Sequence, residues 1–383
     1  MPSLTAKREN LKKTFGIVSL AAADAPDKIT SHALLRVQED SVTVYSTDGD
    51  RMAFSTFTPI KCNGSFEFTL DPKKMQSVMS STDIKTIRFD YNQETKTVEV
   101  YASDQAGAVL AFPSFNPEDF LSFESDLQKT VPMGKDIDAE MLQMGMQFIQ
   151  GFLPEEKTPK SEKYTRLYAT KGTLYGANGS NKIGAFHSPE LESLDDFIVR
   201  RTMLSSLTQM IDRSGTPKVS IKTTSKMVFV SSSDGSCGFG FLRTNDAIPQ
   251  YPITVNTPEC NGFTIHRLNF LKKLSRLAIT SNKDLGIRTV VDGSMVAMAT
   301  VTERVSKDGM ECRPLKEDNS RMDFIFDFKL MKSILSLYQA PDLDVYIDKF
   351  KCTIISNAEL EVLETKERKP FKAVALVSLA RTI

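Results

Sequence analysis

The chain has 383 residues, 40% of them hydrophobic, and its 48 Lys+Arg balance 48 Asp+Glu. That composition excludes collagen-like, coiled-coil and wholly disordered chains, and zero net charge means that any signal for a nucleic-acid partner must be local. At roughly 100–200 residues per domain, the length predicts two to four domains.

In chain order, residues 4–20 read as an amphipathic opening helix with Leu4, Leu11, Phe15 and Val18 on one side. Lys12 and Lys13 before a run ending in small residues also fit a secretory signal. The repeat described below assigns this stretch to the fold instead. Residues 44–54 place Asp48-Gly49 between β-type runs, a hairpin turn in which Gly tolerates positive φ. Residues 66–79 read as a strand feeding a helix, with Asp71 as N-cap and Pro72 at the first helical position. Residues 97–101 close with a β-type segment, and Pro113, Pro117 and Pro132 mark a linker.

The same order then returns twice. A helix over 139–152 holds Leu142 in register with Leu11, Asn178-Gly179 repeats the turn, and 197–210 repeats the strand and helix. Pro249, Pro252 and Pro258 mark a second linker. A helix over 268–274 follows, then Asp292-Gly293 as the third turn and 324–337 as the third strand and helix. Met75, Leu204 and Met331 align at spacings of 129 and 127, and Leu11, Leu142 and Leu271 at 131 and 129. The turn glycines lie 130 and then 114 residues apart. A repeat of this size is too long for a solenoid unit and long enough to bury its own core. Three α+β domains are therefore expected: 1–125, 126–255 and 256–383.

Charge is sorted along this repeat. The six predicted helical segments together carry +8 and the remainder −8. The candidate phosphate contacts among their basic residues are Lys7, Arg8, Lys12, Lys13, Lys73, Lys74, Arg200, Arg201, Arg267, Lys272, Lys273, Arg276, Lys329 and Lys332. Asp136, Asp138 and Glu140 make the helix over 139–152 the acidic exception, in positions where the helix dipole favours them. Basic helices without base-reading groups suit sequence-independent contact with phosphates, although on any one helix such residues are an ordinary solvated face.

Nothing points to catalysis. Cys62, Cys237, Cys260, Cys312 and Cys352 are odd in number and contain no C-x-x-C pair, and His32, His187 and His266 lie far apart. A disulfide framework, a zinc site and a His-based catalytic group are not expected, and a reducing compartment is. No phosphate-binding loop, G-x-S-x-G or H-E-x-x-H occurs. Gly235-Ser236-Cys237-Gly238 reads as a hairpin and not a nucleophile turn, and Asp342 and Asp344 as the solvated face of a strand. No apolar run reaches the length of a membrane span.

The ordered set of tracts resembles the bacterial-type DNA polymerase sliding clamp, the β subunit of the replicase, as a divergent member that a phage could encode. The resemblance covers nearly the whole chain. It is carried by 47–53 (Thr-Asp-Gly-Asp-Arg-Met-Ala), 112–120 (Phe-Pro-Ser-Phe-Asn-Pro-Glu-Asp-Phe), 277–283 and the closing strand 375–381. It implies three tandem copies of one clamp domain, with helices on one face of antiparallel sheets. Two chains would close head to tail into a ring whose helices line a channel around double-stranded DNA. It implies no enzyme activity and no cofactor. The implied partners are a replicative DNA polymerase and a clamp-loader ATPase, in the cytoplasm (the host's, if the chain is viral). They would dock in a hydrophobic cleft formed by Gly179, Lys182, Ile183, Pro249, Thr254, Leu376, Ser378 and Leu379. The second repeat departs from the family's Thr-Asp-Gly-His-Arg-Leu, reading Ala177-Asn178-Gly179-Ser180-Asn181-Lys182-Ile183. The implied ring interface sets Val109 and Leu110 against Ile279 and Thr280. Two rivals remain: a clamp-fold interaction platform that no longer encircles DNA, and a multi-domain enzyme with unrecognised acid–base residues.

Overall fold

One succession of elements occurs three times: strand, helix, three strands, strand, helix, three strands. In the first copy it runs β1 (Ser3–Lys7), α1 (Arg8–Val18), β2 (Ala33–Val37), β3 (Val42–Thr47) and β4 (Arg51–Phe57). An added short β5 (Lys61–Asn63) precedes β6 (Phe66–Leu70), α2 (Pro72–Ser81), β7 (Thr86–Asn92), β8 (Thr97–Tyr101) and β9 (Leu110–Pro113). A short α3 (Glu124–Gln128) and β10 (Val131–Pro132) lead on. The second copy is β11 (Ile137–Asp138), α4 (Ala139–Gln150), β12 (Arg166–Thr170), β13 (Thr173–Asn178), β14 (Lys182–His187), β15 (Phe197–Arg200), α5 (Arg201–Ser214), β16 (Lys218–Thr223), β17 (Met227–Ser232) and β18 (Cys237–Leu242). The third begins β19 (Gly262–His266), α6 (Arg267–Ile279), β20 (Gly286–Asp292), β21 (Met295–Thr300) and β22 (Lys307–Glu311). After an extra β23 (Arg313–Pro314) it ends β24 (Met322–Asp327), α7 (Phe328–Leu335), β25 (Asp342–Asp348), β26 (Lys351–Glu361) and β27 (Arg368–Ser378). The computed structural model describes residues 1–25, 28–102, 109–154, 165–179, 182–244, 246–249, 253, 256–279, 286–301, 305–316, 321–348, 351–361 and 366–379.

The chain divides into two compact units, Met1–Ala139 with Ser205–Thr244 and Glu140–Leu204 with Asn245–Ile383. The first holds a five-stranded sheet, β5-β1-β7-β8-β9, and a nine-stranded sheet ordered β10-β16-β17-β18-β4-β3-β2-β6, with β11 on β16. The second holds a nine-stranded sheet, β15-β12-β13-β14-β27-β26-β25-β19-β23, and a four-stranded sheet, β22-β21-β20-β24. Each nine-stranded sheet is a fusion made by the same kind of pairing. β4 joins β18 antiparallel from Arg51↔Phe241 to Ser55↔Cys237, and β14 joins β27 from Lys182↔Val377 to His187↔Lys372.

The opening helices share a register that explains why they bury one stripe. The fourth residue of each is Leu11, Leu142 or Phe270, the eighth Phe15, Met146 or Leu274, and the eleventh Val18, Ile149 or Leu277; all are buried. This 4–8–11 spacing sets one face of a 3.6-residue helix against the sheet. Two sequence expectations shift here. Leu4 lies on β1, beside Phe89 and Cys62, and not on the helix. Phe270 stands where Leu271 was expected, and Leu271 is only half-buried.

The strand-to-helix tract holds as read. Asp71 accepts hydrogen bonds from the amides of Lys73 (2.9 Å) and Lys74 (3.2 Å), and Asp327 accepts from Leu330 (2.7 Å). Met75, Leu204 and Met331 are all buried. The turn glycines Gly49, Gly179 and Gly293 have φ of +99°, +58° and +55°. The third is nevertheless a different hairpin. Gly49 and Gly179 join β3 to β4 and β13 to β14, whereas Gly293 joins β20 to β21, the counterparts of β2 and β3. The uneven glycine spacing reflects that slip of one hairpin.

Described residues of both Pro-marked stretches pack on their sheets. In the first unit, Phe123 just before α3 and Leu127 within it pack on Tyr45, Met52, Met227 and Phe229. Arg36 fixes them, donating to Glu67 at 2.6 Å and also to Glu124. In the second unit, Ile253 packs with Ile183, Val374 and Ile355, and Arg166 pairs with Asp246.

His32 is buried in the first unit, its Nδ1 3.0 Å from the Ser31 hydroxyl and its ring edge-on to Phe115. Burial holds its pKa below the ordinary histidine value of 6.5, against the pull of Asp71. A histidine depressed in the folded state contributes stability that is complete above pH 6.5 and lost as pH falls through the folded pKa. The urea midpoint should therefore fall less between pH 7.5 and 5 in His32→Gln than in wild type; equal falls would remove His32 from the acid response.

Candidate nucleic-acid and partner interfaces

The basic residues divide by what their charged ends touch. Three arginines begin helices and reach carbonyls just past the end of another helix. Arg8 opens α1 and donates to the carbonyls of Met79 (3.2 Å) and Thr82, at the end of α2. Arg201 opens α5 and donates to the Leu153 carbonyl beyond α4. Arg267 opens α6 and donates to the Ala340 carbonyl at 3.0 Å and the Gln339 carbonyl at 3.5 Å, beyond α7. The Met79 carbonyl lies in the last turn of α2, where terminal carbonyls lack intrahelical donors and carry the negative dipole end. The sequence reading placed these three among the phosphate contacts; at least one guanidinium nitrogen of each bonds a backbone carbonyl.

Other cations are paired. Lys13 donates to the Ser214 carbonyl at 2.6 Å, Lys73 pairs with Asp24, Lys74 lies 3.8 Å from Asp71, and Lys273 bonds Asp308 at 2.8 Å. Burial raises the Asp308 carboxyl, but the hydrogen bonds from Lys273 and the Gly309 amide outweigh it and hold it below the usual range. Arg200, at the end of β15, has its Nε buried without a hydrogen-bond partner among the described residues. Lys332 lies over the Phe328 ring at 5.7 Å. Lys7, Lys12, Lys272, Arg276, Lys329 and Lys332 are exposed. Lys272 and Arg276 stand four apart on α6, one face of one helix.

The predicted cleft residues are brought together in part. Ile183 and Leu376 sit opposite each other across β14 and β27, in an apolar cluster with Ile253. Gly179, at the β13–β14 turn, and Pro249 are half-buried, and Leu379 is buried. Ser378 ends β27, and Thr254 lies outside the described residues. Lys182 turns away from this group. Its ammonium donates to the Gly151 carbonyl at 2.7 Å and lies 5.9 Å from the Phe152 ring, and burial pushes its pKa below the lysine range.

Of the interface residues, Val109 and Leu110 are 39% and 45% exposed, with Leu110 beginning β9, the last strand of its sheet. Ile279, the last residue of α6, is 83% exposed, and Thr280 lies outside the described residues. β22 is likewise the last strand of its sheet. Sequence reasoning missed β22 because its composition, Lys-Asp-Gly-Met-Glu, carries no strand alternation.

The catalytic rivals find little support in their placement. Cys237 is fully buried in β18, after a Gly235 turn with φ of +71°. Burial pushes the Cys352 thiol up to about 12. Asp342 is exposed, and Asp344 accepts from the Thr264 hydroxyl at 2.7 Å. Among the described residues no cluster of His, Cys, Asp and Glu could hold a metal ion, and no helix is long and apolar enough to cross a membrane.

No protein-family profile matches the sequence, and no curated protein matches it. Solved structures do. The DNA polymerase III beta subunit of Pseudomonas aeruginosa superposes with a TM-score of 0.78 at 15% identity, over 99% of this chain and 100% of that one. The beta subunit of Thermotoga maritima gives 0.76 at 12% identity, over 100% of both chains. The sliding clamp of Caulobacter crescentus gives 0.76 at 14%, over 99% and 100%. At these identities the likeness is one of fold. The chain is an α+β protein of three tandem clamp-type repeats, and its fold is that of the bacterial DNA polymerase sliding clamps, in a divergent sequence.

Proposed function

We propose that this chain is a DNA polymerase sliding clamp, a non-enzymatic processivity factor that closes head to tail with a second copy around double-stranded DNA. One observation carries the reading. Within the chain, the fourth strand of one repeat twice pairs with the last strand of the next, β4 with β18 and β14 with β27. The same rule leaves β22 of the third repeat and β9 of the first as ends of their sheets, unpaired among the described residues. An open strand edge with exposed Val109, Leu110 and Ile279 is an incomplete interface. A second copy would complete it, in a closed symmetric assembly.

The domains in this reading are 1–125, 126–255 and 256–383. DNA contact falls to exposed lysines and arginines, with Lys272 and Arg276 foremost. A ring held by topology needs only weak, long-ranged phosphate contacts, which permit sliding where base readout would prevent it. Polymerase and a loader ATPase would dock at the apolar group of Ile183, Leu376 and Ile253, with Gly179, Pro249, Ser378 and Leu379 around it. The compartment that fits is the cytoplasm.

Light scattering across a dilution series tests the assembly, and retention on closed circular against linear duplex tests encirclement. Two chains per particle, retained on circles and lost from linear ends, is the expected result. A dimer retained on neither would make the protein an interaction platform instead.

A further inference from the structure

The two units carry sister sites that differ in one respect. Counting from the helix starts, Gly16 and Lys13 of α1 answer to Gln147 and Met144 of α4. Aligning Leu204 with Met331, Arg213 and Ser214 of α5 answer to Ala340 and Pro341 after α7. In the first unit the site is filled. Arg213 lies over Gly16, its Cδ 3.5 Å from where a Cβ would stand, and donates to the Gly16 carbonyl. Its other nitrogen donates to Gln209 at 2.9 Å, and Lys13 closes the far side on the Ser214 carbonyl.

In the second unit Ala340 cannot reach across and Met144 carries no charge. The space is a cavity of about 200 Å³ between α4, the segment after α7, and strands β14, β26 and β27. Its walls are aromatic. Phe148 meets Tyr338 edge-on at 5.2 Å, and Phe186 stacks on Phe371 at 5.2 Å. The Tyr338 hydroxyl is already used, donating to the Ile354 carbonyl at 2.8 Å. Gln147 and Gln339 are exposed and line the cavity, and their side-chain amides make no hydrogen bond among the described residues. Among the described residues no charged one lines it. Phe186 and Ile183 lie an odd number of places apart on β14, so the cavity opens on the sheet face opposite the Ile183 and Leu376 cluster.

We propose that this cavity is a ligand site for a small, uncharged, planar heteroaromatic molecule. A dry apolar cavity of about 150 Å³ takes benzene, so this one suits one or two fused rings. Ring walls favour offset or edge-on contact with a flat guest. The two free amides supply donors and acceptors at its edge, and the absence of charge selects against ions. The filled sister site indicates that the fold does not require the space to be hollow. The inference is independent of whether the chain encircles DNA.

Indole is the probe, added to the full chain carrying ¹³C-methyl methionine. The Met144 methyl resonance, assigned from Met144→Leu, should shift with saturable dependence on indole. Ala340→Arg, which restores the sister site's filling residue, should weaken binding at least tenfold. Gln147→Leu should weaken indole more than naphthalene, which has no hydrogen-bonding edge. Should Ala340→Arg fail to fold, Ser356→Phe fills the same space from β26 and carries the same expectation. No saturable shift at Met144, or equal indole affinity in wild type and the filled variant, overturns the proposal.

Discussion

Leu110→Asp is expected to turn a two-chain particle into single chains at concentrations where the wild type is fully paired. Leu110 is 45% exposed at the start of β9, outside the buried core cluster of its unit. The folded chain therefore tolerates a carboxylate there, which stays in water. In the closed assembly that carboxylate would enter a strand-to-strand junction of the kind already made between β4 and β18. There it would lose hydration. A two-chain ring contains the junction twice, so the cost is incurred twice. A penalty of about 2.7 kcal/mol corresponds to about 100-fold in the dissociation constant. Light scattering across a dilution series would show the fall in mass, and an unchanged circular dichroism melt would show that the fold survives. Ile279→Asp, on the other side of the proposed junction, should act the same way. If both variants keep the wild-type mass, the interface lies elsewhere and β9 and β22 are ordinary sheet edges.

What was legible in the sequence was whatever depends on neighbours along the chain. Asp71-Pro72 announces a helix start because the cap and the fixed φ are local properties. The stripe of Leu11, Phe15 and Val18 on α1 is legible because helical periodicity is, whereas on α6 the same reading falls one residue off, on Leu271 in place of Phe270. The same locality explains the errors. An Asp-Gly pair says that a hairpin turns there but not which hairpin, so Gly293 was matched to Gly49 and Gly179, one hairpin out of place. Leu4 fits a helical stripe and equally the alternation of β1, and only its pairing with Phe89 decides. The candidate site was less legible still. Lysines and arginines are visible as charge, but whether a cation faces solvent or a carbonyl depends on the return of the chain. Arg213 finds Gly16 across 197 positions, and Arg267 finds Ala340 across 73. No local pattern encodes those meetings. The open edge at β22 was hidden for a related reason: a strand made by pairing with β21 needs no β-type composition of its own.

That sorting of the cations also sharpens the second large expected effect. The double variant Lys272→Glu, Arg276→Glu should lower loading on closed circular duplex about tenfold at 50 mM salt, with the deficit shrinking by 200 mM. Both side chains are exposed on α6, and neither bonds another residue among those described. Lys273 stays in place, because it holds Asp308 and ties α6 to β22. Each chain then changes by four charge units on one helix face, and a two-chain ring by eight. If these residues neutralise phosphates, each lost contact removes about 0.9 from the slope of log affinity against log salt. The two reversed residues should flatten the slope by about 2 per chain. Added repulsion from the glutamates is screened beyond a Debye length of about 10 Å at 0.1 M salt, so the difference from wild type must narrow as salt rises. A deficit that does not change with salt would mean that the substitutions act through the fold or the loader and not through phosphate contact. Wild-type loading at every salt concentration would remove α6 from the DNA-facing surface and shift the contact to Lys7, Lys12, Lys329 and Lys332.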